Sequence, residues 1–186
     1  KGVSRLVGRP DDTLVVLTPA IPPDHGEWNW LRDYGFPILK RSKVLGIICN
    51  NAKCIAVAGT HGKTTVSTMA ATILKTSSLG CGAFLGGISK NFNSNLLLPE
   101  PDNEWLVTEA DEYDRSFLQL TPDIAVITYL DADHLDIYGN HEEMKGSFMK
   151  FAGQVREGGT LILNSEIREA FAELPGRRIL TYSLSG

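Results

Sequence analysis

One segment leaves little freedom to the fold around it. The apolar run Cys54-Ile55-Ala56-Val57-Ala58 leads without a break into Gly59-Thr60-His61-Gly62-Lys63-Thr64-Thr65. Beyond it the hydrophobic period changes, and Val66, Met69, Ala70, Ile73 and Leu74 fall on one stripe of a helix from Lys63 to Lys75. A continuous apolar run suits a strand buried on both faces. Glycines between such a strand and a helix let several backbone N–H groups converge on one point, at the positive end of the helix. The spacing predicts a phosphate-binding loop made by Gly59, Thr60, His61, Gly62, Lys63, Thr64 and Thr65. Lys63 is placed to reach the terminal phosphates of a nucleotide, and the Thr64 hydroxyl to ligate Mg²⁺. The strict pattern has Gly where this chain has Val57, so an ordinary strand-to-helix turn is the competing reading. The flanking strand, the helix and the paired glycines decide for phosphate.

The remaining pattern extends this strand and helix into an α/β unit. Strand candidates are Ala83 to Leu85, Trp105 to Thr108, Ile124 to Tyr129, Leu161 to Leu163 and Ile179 to Tyr182. Helical patterns around Glu142 to Phe151 and Ser165 to Leu174 separate the later ones. Such alternation implies a parallel sheet with helices on its faces. Asn91 to Asn103 reads as an exposed connection. Upstream, Leu14 to Leu17 reads as a strand, Glu27 to Tyr34 as a helix stopped by Gly35, Pro37 to Leu39 as a strand and Arg41 to Asn50 as a helix. Two lobes are expected, residues 1–50 and 51–186, meeting at Asn50-Asn51.

Two polar clusters follow two of these strands. Glu109-Ala110-Asp111-Glu112-Tyr113-Asp114 comes after Trp105 to Thr108. A run so acidic is often a solvated loop. At the carboxyl end of a strand beside a phosphate loop, however, a carboxylate holds the nucleotide's Mg²⁺. Glu109 is best placed for this, and at least two of the other three acids are expected only to hydrate or cap. Asp131-Ala132-Asp133-His134-Leu135-Asp136 follows Ile124 to Tyr129, and ligands of parallel α/β sheets gather at these strand ends. His134 between carboxylates suits a second divalent ion or an oriented polar contact. A lone histidine is more often structural; three polar loops at three strand ends favour function.

Composition narrows the partners. Lys and Arg number 18 against 22 Asp and Glu, a formal charge of −4, which argues against a dedicated nucleic-acid binder. No apolar run approaches the ~20 residues of a membrane-spanning helix. Cys49, Cys54 and Cys81 lack Cys-x-x-Cys spacing, so free thiols in a reducing cytoplasm are expected rather than disulfides or a zinc site. The chain opens on Lys1 and reads as an excerpt of something longer.

The ordered set Gly59-Thr-His-Gly-Lys-Thr-Thr65, Glu109-Ala-Asp-Glu112 and Asp133-His134-x-Asp136 with Tyr138-Gly139 resembles the Mur ligases of peptidoglycan synthesis. Thr18-Pro19-Ala20-Ile21-Pro22 and Pro37 to Ser42 also resemble the N-terminal domain of the family's alanine-adding branch. The resemblance implies that residues 1–50 close a Rossmann-like, UDP-binding domain and that 51–186 open a central ATPase domain. It implies ATP phosphates at Gly59 to Thr65, one Mg²⁺ on Thr64 and Glu109, and a second metal position at His134. Lys63, Glu109 and His134 are then the candidate catalytic residues. The implied reaction is ATP-dependent joining of L-alanine to the carboxylate of UDP-N-acetylmuramic acid through an acyl phosphate. Several members carry a carbamylated lysine near the place of Phe148 and Met149; this chain has neither as lysine, which fits the alanine-adding branch. The UDP-cradling loop, the adenine contacts and the C-terminal domain are not recognisable in the chain, so this stretch alone is expected not to complete ligation. Alternatives are a murein-tripeptide recycling ligase of the same family, a non-catalytic nucleotide-binding module, and an unrelated kinase or synthetase with the same loop.

Overall fold

A computed structural model describes residues 8–131, 141–172 and 174–183. The chain divides into two compact units, one ending at Leu45 and the other beginning at Gly46. In the first, strand β1 (Val15–Leu17) pairs in parallel with β2 (Ile38–Lys40), Val15 opposite Ile38, and helix α1 (Gly26–Asp33) connects them. Gly35, at φ +76, ends α1 by donating to the Arg32 carbonyl. The left-handed conformation is one that glycine adopts without strain. It turns Phe36 inward, where Phe36 and Leu31 are buried.

Helix α2 (Arg41–Asn50) runs as its spacing predicts. The division of the units falls inside it, five residues before the expected Asn50-Asn51. Its second half packs with the later unit: an ideal Cβ on Gly46 lies 2.6 Å from the Gln119 carbonyl, and Cys49 is fully buried.

The second unit is a seven-stranded sheet. Its strands are β3 (Lys53–Ala58), β4 (Gly82–Ser89), β5 (Ser94–Leu97), β6 (Trp105–Glu109), β7 (Ile124–Ile127), β8 (Thr160–Asn164) and β9 (Arg178–Tyr182). Their order is β5-β4-β6-β3-β7-β8-β9, parallel throughout except for β4 with β5. The apolar run of β3 thus lies between β6 and β7, buried as its composition requires. Helix α3 (Lys63–Thr76) packs Ala71 against Cys81, Ala83, Leu85 and Val107. Helix α4 (His141–Gly153) closes a second apolar cluster, in which Phe117 meets Phe148 edge-on at 5.2 Å and stacks on Phe151 at 5.1 Å.

Two expectations change. Asn91 to Asn103 is not wholly irregular, because Ser94–Leu97 returns along β4 as the edge strand β5. Gly86-Gly87 lies within β4, where paired glycines hide a strand's alternation. The helical pattern after Ser165 is a 3-10 helix, Ser165–Phe171, rather than an α-helix, and the Asn164 side chain accepts from Glu166 N at its start.

Candidate active site

The loop leaves β3 through Gly59, at φ +131, where an ideal Cβ lies 2.1 Å from Thr128 Oγ1. Only glycine allows that approach. Thr128, just beyond β7, shares its hydroxyl proton between the Ala58 and His61 carbonyls. Thr60 N donates to the Tyr129 carbonyl at 3.1 Å, and Asp131 N donates to Thr60 Oγ1 at 3.1 Å. His61 Nε2 stands 3.6 Å from Asp131 Oδ2, an ion pair when the imidazole is protonated. The end of β7 therefore clamps the loop along its length. Gly62, at φ +79, is the N-cap of α3. It brings no capping side chain, so the first-turn N–H groups of α3 remain available to an anion.

On the other side of β3, Glu109 is the last residue of β6, in register with Val57. Its Oε2 accepts from the Thr64 hydroxyl at 3.2 Å, while Oε1 accepts from Ser67 Oγ at 3.2 Å and Gly86 N at 2.6 Å. Gly86 leaves the space that the carboxylate fills: an ideal Cβ there lies 2.3 Å from Glu109 Oε2. Thr64 and Glu109 present hard oxygen donors to one point, which suits Mg²⁺. Among the described residues no group of three or more His, Cys, Asp and Glu could hold a metal ion. A cation on Thr64 and Glu109 would complete its shell with phosphate oxygens and water, the usual habit of Mg²⁺.

Lys63 Nζ donates to the Gly59 carbonyl and to Glu112 Oε1, both at 2.8 Å. The carboxylate side chain is only 4% exposed and the lysine 17%. Glu112 does more than hydrate or cap, a role the expectation left open for one of the three acids after Glu109. Asp111 meets that expectation by accepting from Tyr113 N. The backbone beside it is turned inward: Ala110 is fully buried, with its N–H on the Val57 carbonyl. His134, with Asp133, Asp136, Tyr138 and Gly139, lies outside the described residues.

The structure thus brings Gly59 to Thr65, Glu109 and Glu112 together at the carboxyl ends of β3 and β6. At the amino ends of the same two strands, Asn50, Lys53, Glu104 and Arg156 line a cavity of about 510 Å³. There the Arg156 guanidinium is engaged by Asp123 and by the Asn50 and Ala52 carbonyls, so the cavity holds a structural network.

A strand–loop–helix of this kind with a carboxylate on the adjacent strand defines a nucleoside-triphosphate site. Residues 57–186 match the Mur ligase middle domain, and the chain belongs to the Mur ligase family. It is 52% identical over 174 residues to the UDP-N-acetylmuramate–L-alanine ligase of Phocaeicola vulgatus, an alignment covering 94% of this chain and 38% of that protein. The chain therefore spans well under half the length of this curated relative. Among solved structures it matches the UDP-N-acetylmuramate-alanine ligase of Thermotoga maritima with a TM-score of 0.76 at 27% identity, over 93% of this chain and 39% of that one. It also matches the UDP-N-acetylmuramate:L-alanyl-gamma-D-glutamyl-meso-diaminopimelate ligase of Neisseria meningitides, with a TM-score of 0.79 at 24% identity, over 90% and 57% of the two chains. That last likeness shows the fold alone.

Proposed function

We propose that this chain forms the phosphate-activating part of an ATP-dependent ligase that joins L-alanine to the carboxylate of UDP-N-acetylmuramic acid, in peptidoglycan precursor synthesis. Lys63, Thr64 and Glu109 converging beyond β3, in a chain so similar to an alanine-adding ligase, is the observation that carries it. Residues 1–50 are then the end of a UDP-binding Rossmann-like domain, and 51–186 the start of the ATP-binding domain. The buried free cysteines agree with a reducing cytoplasm.

In this reading Gly59 to Thr65 bind the ATP phosphates, with backbone N–H groups and the α3 terminus directed at them. The substrate carboxylate takes the γ-phosphoryl group, giving an acyl phosphate and ADP. The amine of L-alanine then forms the C–N bond and loses a proton, and the C–O bond to phosphate breaks. Lys63 neutralises charge on the transferring group and holds attacker and leaving group in line. Thr64 and Glu109 would hold one Mg²⁺, and His134 would contribute to a second position; such ions would supply further charge neutralisation at the phosphates. No side chain need act as a nucleophile.

The test is phosphate release from ATP by the full-length protein, with L-alanine and L-alanyl-γ-D-glutamyl-diaminopimelate compared as acceptors. Release that needs both UDP-N-acetylmuramic acid and L-alanine supports the reading. Preference for the tripeptide replaces it with the recycling ligase. Nucleotide binding without any substrate-stimulated release leaves a nucleotide-binding module. Glu109→Ala and His134→Ala are each expected to cut turnover by ~10²-fold or more if they hold metal charge in the transition state.

A further inference from the structure

We propose that Glu112 is a positioning residue for Lys63: its buried carboxylate fixes where the loop ammonium points, so that the lysine meets the transferring phosphoryl group in line. The proposal rests on the ligase reading above and adds a residue which that reading does not use.

The backbone around Glu112 is pinned. Ala110 N donates to the Val57 carbonyl at 2.8 Å, which fixes the exit from β6. Beyond Glu112, Arg115 N returns to its carbonyl and Phe117 N to that of Asp111, each at 3.0 Å, opening the 3-10 helix Tyr113–Gln119. Phe117, at 1% exposure, anchors that helix in the apolar cluster with Phe148 and Phe151. The carboxylate is therefore delivered from a hydrogen-bonded turn anchored in the core, and the lysine reaches it on a flexible four-carbon arm.

An ammonium has three donors. Two are observed in use: one on the neutral Gly59 carbonyl and one on Glu112. A charge-assisted bond to a buried carboxylate is roughly twice as strong as a bond to a neutral acceptor. An arriving triphosphate therefore takes the third donor and displaces the Gly59 carbonyl, while Glu112 keeps its hold. Burying such an ion pair contributes little net stability, since desolvation offsets the attraction. Its consequence here is geometric. Without the carboxylate, Lys63 still reaches a polyanion, and a nearby negative charge has been removed. Nucleotide binding then holds or tightens while the in-line geometry loosens.

The full-length protein is compared with Glu112→Gln and Glu112→Asp. Calorimetry gives the Kd for ATP, substrate-dependent phosphate release gives kcat and KM, and thermal melting reports the fold. For the Gln variant the expectation is a Kd within about threefold of wild type or tighter, with kcat at least about tenfold lower. The Asp variant keeps the charge on a shorter arm and recovers part of kcat. A kcat within about twofold of wild type in the Gln variant overturns the proposal, as does a Kd that weakens in step with kcat. If the Gln variant does not fold, the wild-type ammonium signal in NMR still decides, because an unprotected Lys63 refutes the proposal. Nitrogen-15 NMR of the lysine ammonium groups, with Lys63 assigned through Lys63→Arg, separates this idea from the ligase reading. An exchange-protected Lys63 signal in the wild type, lost in the Gln variant, supports the positioning role even if substrate-dependent release is absent and the ligase reading fails. An unprotected Lys63 signal in the wild type refutes the positioning role.

Discussion

Gly86 shows how a residue without a side chain can govern where a carboxylate stands. Glu109 occupies the volume that a methyl group on Gly86 would claim, and its Oε1 takes the Gly86 N–H. Gly86→Ala is therefore expected to displace the carboxylate and raise the Mg²⁺ concentration needed for half-maximal activity several-fold, with the melting temperature little changed. A magnesium titration of the full-length variant checks this. Gly87→Ala is the control, because its Cβ meets only Thr64 Cγ2 at an ordinary 3.7 Å. Gly59→Ala is expected to be harsher, since it combines a forbidden φ with a collision against Thr128. Loss of nucleotide binding by calorimetry is the readout. The sequence showed the loop, Lys63, Thr64 and Glu109 because each sits at a fixed offset from a strand end. Glu112 and Gly86 were illegible for a common reason. Each acquires its role from a partner on another strand, and local spacing does not encode which strands become neighbours.

Among the elements, α2 sets helix propensity against packing. Alanine is favoured over glycine in a helix interior by about 1 kcal/mol. At position 46, however, the added Cβ would stand 2.6 Å from the Gln119 carbonyl and 3.0 Å from its Cβ, on backbone that cannot swing aside. Overpacking of this kind costs about 1–3 kcal/mol, so Gly46→Ala is expected to destabilise the second unit. A lower urea midpoint at unchanged slope is the measurement. Helix α1 was legible from the turn before it and Gly35 after it, and α2 and α3 from their apolar stripes. The edge strand β5 was not, for its pairing is antiparallel, half-exposed and opposite a strand interrupted by two glycines.

At the scale of the molecule, the thiols report on the fold as a whole. Burial pushes the Cys81 thiol up from the ordinary thiol range. Unfolded, Cys81 ionises near 9.0. Above that pH the unfolded state holds fewer protons than the folded one, so stability is flat below it and falls as pH rises through it. Urea midpoints measured from pH 7 to 10 check the sign. Alkylation of Cys54 and Cys81 is expected only after unfolding. Alternation of strand and helix made the parallel α/β class readable, whereas the order of strands was not, being decided by crossovers rather than by local pattern. That order carries a consequence in time. Lys63 and Glu112 are 49 residues apart in the chain, and Thr60 and Asp131 are 71 apart. At ribosomal speeds of ~5–20 residues per second, the later partner emerges about 4–14 s after the loop. A nascent chain halted before β7 is therefore expected to carry the complete loop and yet retain no ATP.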